Sequence, residues 1–207
     1  MSSVTKGRRQ TRLSRTLGIA LTPKSKKYFD RRPYPPGEHG RGRRKLSDYG
    51  IRLKEKQRLR AQYALKEKNL RAYYEKARHL EGLTGEVMVE LIESRLDSLV
   101  LRAGFARTIY QARQAVTHRH ILVDGEILDR PSAKIAPGQT IQIKPKSQAL
   151  APFQVAALGA HQEVLPEIPE YLDVSIEKLT AILRQKPKRA QVPIICDVAL
   201  VVEYYAR

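Results

Sequence analysis

Clusters of arginine and lysine are the chemically active feature of this 207-residue chain. The first 60 residues carry nineteen of these side chains against four acidic ones, whereas residues 61–93 are nearly neutral. Guanidinium and ammonium groups at this density bind phosphate oxygens, and a guanidinium can do so through two parallel hydrogen bonds. The clustered cations therefore indicate a protein that binds a polyanion rather than one that catalyses a reaction.

The first candidate contact region lies within residues 1–60 and combines cations with proline, glycine and aromatic residues. Glu55 is the one acid within residues 52–60, which hold five cations, and a solvated helix face normally carries more acidic charge. Tyr34 and Tyr49 stand in the same basic sequence, where each could stack on a base or cover a helix. We predict RNA contacts from Arg8, Arg9, Arg31, Arg32, Tyr34, His39, Arg41, Arg43, Arg44, Lys45, Tyr49, Arg52, Lys54, Lys56, Arg58 and Arg60.

The second candidate contact region is a predicted helix over residues 109–118, with Thr108 as its N-cap. Its apolar positions recur at helical spacing, so the polar positions face away from the core. Side chains on such a face can read the shape, phosphates and 2′-hydroxyls of RNA, although ordinary helix surface is the alternative. Arg95 and Asp97 are interpreted instead as internal cap or salt-bridge partners within the folded segment that contains this helix. The predicted RNA contacts are Arg107, Tyr110, Gln111, Arg113, Gln114, His118 and Arg119.

Histidine and cysteine do not indicate a metal centre. His118 and His120 form a pair, but two ligands do not make a zinc site, and no cysteine or carboxylate stands nearby at ligand spacing. The single cysteine, Cys196, lies among apolar residues and is interpreted as a buried, inert thiol. We therefore predict neither a metal ion nor another cofactor.

The composition of the whole chain supports a polyanionic partner. The net charge is +18 and the pI is near 10.2, an excess that repels itself in the compact state. A membrane surface is the rival polyanion, yet no run of about 18 apolar residues and no apolar signal segment occurs. There is also no P-loop, dinucleotide-binding glycine motif or paired nucleophile and base. We predict a cytosolic RNA-binding protein that has no membrane partner and is not an enzyme.

Three kinds of segment must position these side chains. Residues 1–45 show no hydrophobic period and are predicted to be an extended basic arm that orders on phosphates. Helices over about 48–64 and 66–79, and a third capped by Thr84, are predicted to form a helical domain. Near the C-terminus, the sequence predicts a helix over 175–184 and a strand over 198–204.

The central residues are predicted to fold as a separate module. Helices over 96–103 and 109–118, separated by Gly104, make a helix–turn–helix. The hydrophobic period then changes to two, with a hairpin over 121–128 turned by Asp124-Gly125 and a strand over 140–144. The predicted fold class is therefore α+β: a basic extended arm, a mainly helical domain, and a helix–turn–helix with a small antiparallel sheet.

Four stretches of sequence follow one another along nearly the whole chain. They are Arg31-Arg32-Pro33-Tyr34-Pro35-Pro36-Gly37-Glu38-His39-Gly40, then Leu53-Lys54-Glu55-Lys56-Gln57, then Ser94-Arg95-Leu96-Asp97 with Arg102-Ala103-Gly104-Phe105-Ala106-Arg107-Thr108 and Gln111-Ala112-Arg113-Gln114, and finally Leu200-Val201-Val202-Glu203-Tyr204-Tyr205. In this order and at this spacing they resemble the bacterial small-subunit ribosomal protein S-four family.

The resemblance implies a domain organisation. The central stretch would be the small RNA-binding module of the family, inserted into a domain formed by the remaining helices, with its helix–turn–helix at about 95–119 facing the RNA. The predicted domains are the arm (1–45), the helical domain (46–93), the inserted module (94–159), and a C-terminal helix and strand (160–207) that pack back on the helical domain.

The resemblance also implies partners. Members bind small-subunit rRNA directly at a junction of several helices, act early in assembly and affect decoding accuracy. Neighbours would be small-subunit proteins of families five and twelve, and some members repress translation of their own operon mRNA. The implied location is the small ribosomal subunit in the cytoplasm.

The N-terminal arm departs from the family pattern. Many bacterial members carry a cysteine cluster there that binds zinc or an iron–sulfur cluster, whereas this arm contains no cysteine. Metal dependence is therefore not carried over. If the arm is ordered, RNA contacts and the packing of proline and aromatic side chains must hold it.

Two other functions stay open at this point. Arg95-Leu96-Asp97 resembles the tripeptide around the catalytic aspartate of pseudouridine synthases, some of which carry the same module. Against an enzyme, the tripeptide lies inside the module, Ser94 precedes it where those enzymes usually have glycine, and only about 55 residues follow the module. A free-standing RNA chaperone or repressor shares the charge pattern and differs in not being stoichiometric with ribosomes.

Overall fold

The structure is a computed structural model that describes residues 3–42 and 45–206, with side chains described from residue 9 onward. The helices are α1 (Ser3–Leu17), α2 (Pro23–Arg31), α3 (Asp48–Gln62), α4 (Glu67–Arg78), α5 (Thr84–Glu93), α6 (Leu96–Arg102), α7 (Ile109–Thr117), α8 (Pro145–Gln148), α9 (Ala151–Ala157) and α10 (Val198–Tyr205). The strands are β1 (Ile121–Val123), β2 (Glu126–Ile127), β3 (Thr140–Ile143), β4 (Leu172–Ser175) and β5 (Thr180–Leu183), and short 3-10 helices cover Glu38–Arg41 and Arg189–Gln191. The predicted α+β class is confirmed.

The chain divides into two compact units. Unit 1 comprises Met1–Tyr74 with Ile194–Arg207, and unit 2 comprises Glu75–Pro193. This division differs from the predicted domains, because β4 and β5 belong to unit 2 while α10 belongs to unit 1.

The N-terminal arm contains two helices where the sequence predicted an extended segment. Thr22 caps α2: its side chain accepts a hydrogen bond from the Ser25 backbone N–H, and the Ser25 hydroxyl accepts one from the Thr22 N–H. Apolar side chains are few in this part of the arm and are separated by many cations, so the sequence shows no helical period. Several of them nevertheless pack in one cluster. The cluster consists of Leu13, Leu17, Ile19 and Leu21, packed with Ala61 of α3.

The C-terminal residues form helix α10, so the predicted strand is wrong. Asp197 is the N-cap of α10 and accepts hydrogen bonds from the N–H groups of Ala199 and Leu200. The helix packs along α3, and the Asp197 backbone N–H donates to the buried Glu55 carboxylate at 3.0 Å. Cys196 beside it is half-buried, with its Sγ 3.5 Å from the Glu55 carbonyl oxygen, so it is less enclosed than predicted.

Unit 2 contains the predicted helix–turn–helix and hairpin. β1 and β2 are antiparallel, and Asp124-Gly125 turns between them with positive φ at both residues, as a tight hairpin turn requires. The sheet is antiparallel throughout, in the order β2-β1-β3-β5-β4. The helix predicted over 175–184 is wrong, because those residues lie in the β4–β5 hairpin.

Candidate nucleic-acid interface

The helix–turn–helix of unit 2 is built by a glycine stop and a threonine cap. Gly104 ends α6 with a φ of +78°, a conformation that glycine adopts without strain. The Thr108 hydroxyl then accepts a hydrogen bond from the Gln111 backbone N–H and starts α7. The apolar face of α7 is buried in unit 2, so its polar face points to solvent. The buried residues are Ile109, Ala112, Ala115 and Val116.

The outward face of α7 and the turn before it carry most of the predicted contacts of the second region. The side chains exposed to solvent are Arg107, Tyr110, Gln114, His118 and Arg119. Within the part of the chain that the structure describes, no carboxylate lies within ion-pair distance of Arg107. Gln111 is half-buried, and its side-chain oxygen accepts from the Arg107 backbone N–H at 2.9 Å. Gln111 therefore fixes the turn and leaves the Arg107 guanidinium available to an anion.

Arg113 lies on α7 but binds the protein itself. Its Nη2 is 2.8 Å from the Asp97 carboxylate, which also accepts two hydrogen bonds from Arg95, at 2.7 and 2.9 Å. Asp97 is fully buried, whereas about a third of the Arg113 side chain (32%) reaches solvent. The prediction that Arg95 and Asp97 are internal partners is confirmed. Arg113 gains a structural role that its spacing on the helix did not reveal.

His161 supports the turn from behind and was not predicted from the sequence. Its Nδ1 lies 2.8 Å from the carbonyl oxygen of Gly104, and the side chain is buried in unit 2. Burial lowers the pKa of the His161 imidazole below its usual value. The residue follows a long stretch without a clear hydrophobic period, so nothing in the sequence linked it to Gly104.

The predicted contacts of the first region fall into three groups. Arg43 and Arg44 lie outside the described residues, as does the side chain of Arg8. Exposed side chains are Arg9, Arg31, Arg32, His39, Arg41, Lys45 and Tyr49. Partly or fully buried side chains are Tyr34, Arg52, Lys54, Lys56, Arg58 and Arg60. The exposed set therefore belongs mainly to the arm rather than to α3.

Three of the five basic residues of α3 bind within unit 1, because α10 and the arm cover part of that helix. Arg52 Nε lies 2.7 Å from the Glu203 carboxylate, and Arg58 donates to Glu55 at 2.6 Å and to the Leu17 carbonyl at 2.8 Å. These contacts occupy Arg52 and Arg58, whereas Lys54 and Arg60 stay partly exposed, so RNA contact by this helix remains a prediction. A short run of cations on a helix does not reveal which of its sides another helix will cover.

Lys56 is the most enclosed of these cations. Its ammonium lies 3.0 Å from the Glu67 carboxylate and 4.4 Å from the centre of the Tyr204 ring, and 5% of the side chain is exposed. The Tyr205 hydroxyl donates to the same carboxylate, and burial together with Glu67 raises the pKa of Tyr205. Lys56 is therefore placed as a core residue of unit 1, and its position offers no path to a phosphate.

Tyr49 is exposed at the edge of the same aromatic cluster. Its hydroxyl oxygen lies 3.4 Å from that of Tyr204, and this contact raises the pKa of Tyr49. A small cavity of about 360 Å³ opens there, lined by Tyr49, Arg52, Glu67, Arg71, Tyr204 and Tyr205. Tyr49 was predicted either to stack on a base or to cover a helix, and in the structure it contacts Tyr204 of helix α10.

Neither a metal site nor a membrane segment is found in the described part of the chain. No group of three or more histidine, cysteine, aspartate or glutamate side chains there could hold a metal ion. No helix there is long and apolar enough to cross a membrane.

Comparison with known proteins identifies the class to which this arrangement belongs. A family model for the S4 domain matches residues 94–141, which contain the helix–turn–helix and its exposed arginine. A second model, for the ribosomal protein S4/S9 N-terminal domain, matches residues 6–93. The fold and the basic surface thus define an RNA-binding protein of the S4-domain class.

Full-length relatives narrow the class to one family. Small ribosomal subunit protein uS4 of Beutenbergia cavernae is 65% identical over 208 residues, covering 100% of both chains. The uS4 proteins of Leifsonia xyli subsp. xyli (62% identical, covering 97% of this chain and 98% of the relative) and Micrococcus luteus (61%, 100% of both) are similar over the same span. The chain belongs to the small ribosomal subunit protein uS4 family. Membership confirms the resemblance and the prediction that the chain is not an enzyme.

Proposed function

We propose that this chain is a structural constituent of the small ribosomal subunit that binds small-subunit rRNA directly. The observation that carries the proposal is the exposed guanidinium of Arg107 in the turn before α7, inside the segment that matches the S4 domain, where no carboxylate of the described residues pairs with it. A second basic surface on the arm supports it, because a phosphate backbone can neutralise the excess charge there. The corresponding location is the small subunit of the cytoplasmic ribosome.

We further propose that the rRNA site is a junction of several helices and that binding there starts assembly of the subunit body. The presence of one basic surface on each unit supports this proposal, since a chain with two such surfaces can join two RNA segments. A contribution to translational accuracy, contacts with small-subunit proteins of families five and twelve, and repression of the chain's own operon mRNA rest on the family resemblance alone.

Direct binding is tested with the full chain and transcripts of small-subunit and large-subunit rRNA. We expect preferential binding of the small-subunit transcript, with an affinity that falls steeply as salt rises because phosphate contacts release counterions. Arg107→Gln should weaken binding and make the log–log salt slope shallower by about 0.7–0.9, the share of one phosphate.

Arg78→Gln is the matched control, because it removes one exposed arginine that lies outside both candidate regions. It should leave the affinity nearly unchanged. Equal binding of both transcripts, or equal effects of the two substitutions, would contradict the proposal. Equal binding would instead favour a general RNA chaperone.

A further inference from the structure

Tyr34 stands at the centre of an arginine cluster in the arm. The guanidinium carbons of Arg15 and Arg41 lie 5.1 and 4.9 Å from the centre of its ring, within cation–π distance. Arg41 also donates a hydrogen bond from Nη2 to the Tyr34 hydroxyl at 3.1 Å. That bond, with the positive charges of Arg41, Arg32 and Arg15, lowers the pKa of Tyr34. In the structure, the Tyr34 ring therefore contacts two guanidinium groups. Stacking on a base, one of the two predictions for Tyr34, stays a prediction.

Arg15 uses its donors on the backbone that follows α2. Its Nε donates to the carbonyl oxygens of Arg32 and Tyr34, both at 3.0 Å, and its Nη2 donates to that of Pro35 at 3.4 Å. One side chain of α1 therefore binds three backbone carbonyl groups within residues 32–35. A lysine ammonium could not reproduce this planar arrangement.

The loop is also closed on itself. Gly40 is buried, and a Cβ added there would lie 2.0 Å from the carbonyl oxygen of Pro35, a distance that backbone atoms cannot accommodate. The 3-10 turn Glu38–Arg41 is consequently held against Pro35, and Arg41 and Arg32 both lie close enough to Tyr34 for their charges to lower its pKa. The two arginines belong to one shaped surface rather than to a loose tail.

The cluster carries three positive charges and no acidic partner among the described residues, where no carboxylate lies within 4.0 Å of Arg15, Arg32 or Arg41. Like charges held this close repel one another unless an anion joins them. Arg15 is occupied by carbonyls and Tyr34, whereas Arg32 and Arg41 are exposed. A phosphate group can accept hydrogen bonds from both of them.

We propose that Arg32 and Arg41 form a binding site for an RNA phosphodiester, and that Arg15 and Tyr34 are positioning residues that hold this site in shape. The proposal rests on the proposed function and names one contact surface within it. The site is open to solvent, so it suits a phosphate delivered by a bound RNA strand rather than a free phosphate ion.

The test measures affinity of the full chain for the small-subunit rRNA transcript as a function of KCl concentration. Arg41→Gln should make the log–log slope shallower by about 0.7–0.9, the share of one phosphate contact. Arg15→Lys keeps the charge but loses the carbonyl contacts, so it should weaken binding as much as Arg15→Gln does. In a chain that already carries Arg32→Gln and Arg41→Gln, Arg15→Lys should have little further effect, because it acts through those residues.

Arg9→Gln is the control, since Arg9 is an exposed arginine of α1 outside the cluster. Its effect should add in full to that of Arg41→Gln. A second pair of variants tests the contact between the Tyr34 ring and the arginines. Tyr34→Phe keeps the ring and should weaken RNA binding less than Tyr34→Leu, which removes it. Circular dichroism melting of each variant separates loss of the site from loss of the fold.

The proposal would be overturned if the Arg15→Lys variant bound the transcript with wild-type affinity. It would also be overturned if the effect of Arg15→Lys added in full to that of Arg32→Gln with Arg41→Gln. Neither result would contradict rRNA binding itself. Failure of the wild-type chain to prefer small-subunit rRNA would instead overturn the proposed function. Inorganic phosphate should compete no better than KCl of equal ionic strength, and specific competition would replace the RNA phosphodiester by a free phosphate ion.

Discussion

Asp97 is a buried carboxylate held between the guanidinium groups of Arg95 and Arg113. A charge taken out of water is stable only when it is paired and hydrogen-bonded, and Asp97 has partners on both oxygens. The pair ties the start of α6 to the middle of α7, so the same residues that resemble a catalytic tripeptide here fix the angle of the helix–turn–helix.

Replacing Asp97 by asparagine should destabilise unit 2. Arg95 would lose its counter-charge while buried, and we expect the free energy of unfolding to fall by about 3 kcal/mol, the lower end for a buried pair because Arg113 is partly hydrated. Urea denaturation followed by circular dichroism measures the change. Asp129→Asn, which breaks the exposed pair with Arg119, is the matched control and should cost at most about 1 kcal/mol. Equal costs would show that Asp97 does not support the fold.

His161 should make the stability of unit 2 depend on pH. The unfolded chain protonates this imidazole near pH 6.5, whereas burial lowers the pKa in the folded chain. The contribution to the free energy of unfolding is therefore complete above about pH 6.5 and is lost as the pH falls toward the folded pKa.

The measurement for His161 is urea denaturation between about pH 7 and about pH 5. His161→Gln should show a flatter pH dependence than the wild-type chain, while His79→Gln, an exposed histidine, should retain the wild-type slope. A slope that is unchanged by His161→Gln would mean that other groups cause the pH dependence.

Side-chain roles were predictable only where the partners are close in sequence. Arg95 and Asp97 are two residues apart, and their pairing was predicted. Lys56 and Arg58 pack against residues far along the chain, including Tyr204 and Leu17, and sequence spacing carries no information on such contacts. The same reason explains why Arg15, which reaches across to the carbonyl of Tyr34, was not among the predicted site residues.

At the scale of elements, helix α10 shows how tertiary packing overrides local preference. Its residues are rich in valine and tyrosine, which favour strands, but the propensity difference is small compared with the burial of Val198 and Val201 in unit 1. Those two positions are three residues apart and are buried together, which is a helical spacing. Asp197 then supplies the N-cap that a strand would not use.

The cap of α10 gives a direct test. Asp197→Ala should lower the free energy of unfolding of unit 1 by about 1 kcal/mol, because two backbone N–H groups lose their acceptor. Asp197→Asn is the control, since asparagine caps helices about as well as aspartate. Denaturation measurements that gave the same loss for both variants would assign the effect to charge and not to capping.

The β4–β5 hairpin could not be predicted because its turn lacks the usual signals. Leu179 adopts a φ of +50° there, a position normally taken by glycine or asparagine. β5 then pairs with β3, about forty residues earlier in the chain, a contact that no local pattern encodes. By contrast, the β1–β2 hairpin could be predicted, because Asp124-Gly125 stands between two segments in which apolar and polar residues alternate.

At the scale of the whole molecule, the charge is divided between two segments of the chain. Residues 1–60 carry a net charge of +15 and residues 94–150 carry +5, while the remaining segments are close to neutral. The structure turns part of the first group inward through Arg52, Lys56 and Arg58. The cations that stay exposed in the first segment lie mainly on the arm, and those of residues 94–150 are Arg107, Arg119, Arg130, Lys134 and Lys146. The excess charge is therefore available to an RNA partner in both segments.

As a constituent of the small subunit, the chain should be found with that particle in cells. The most direct measurement sediments a lysate of the source bacterium at high and low magnesium and follows the chain by quantitative mass spectrometry across the gradient. We expect one copy per small subunit at both magnesium concentrations, retained after a moderate salt wash. Sub-stoichiometric, free or salt-labile chain would contradict it and would favour an RNA chaperone or repressor.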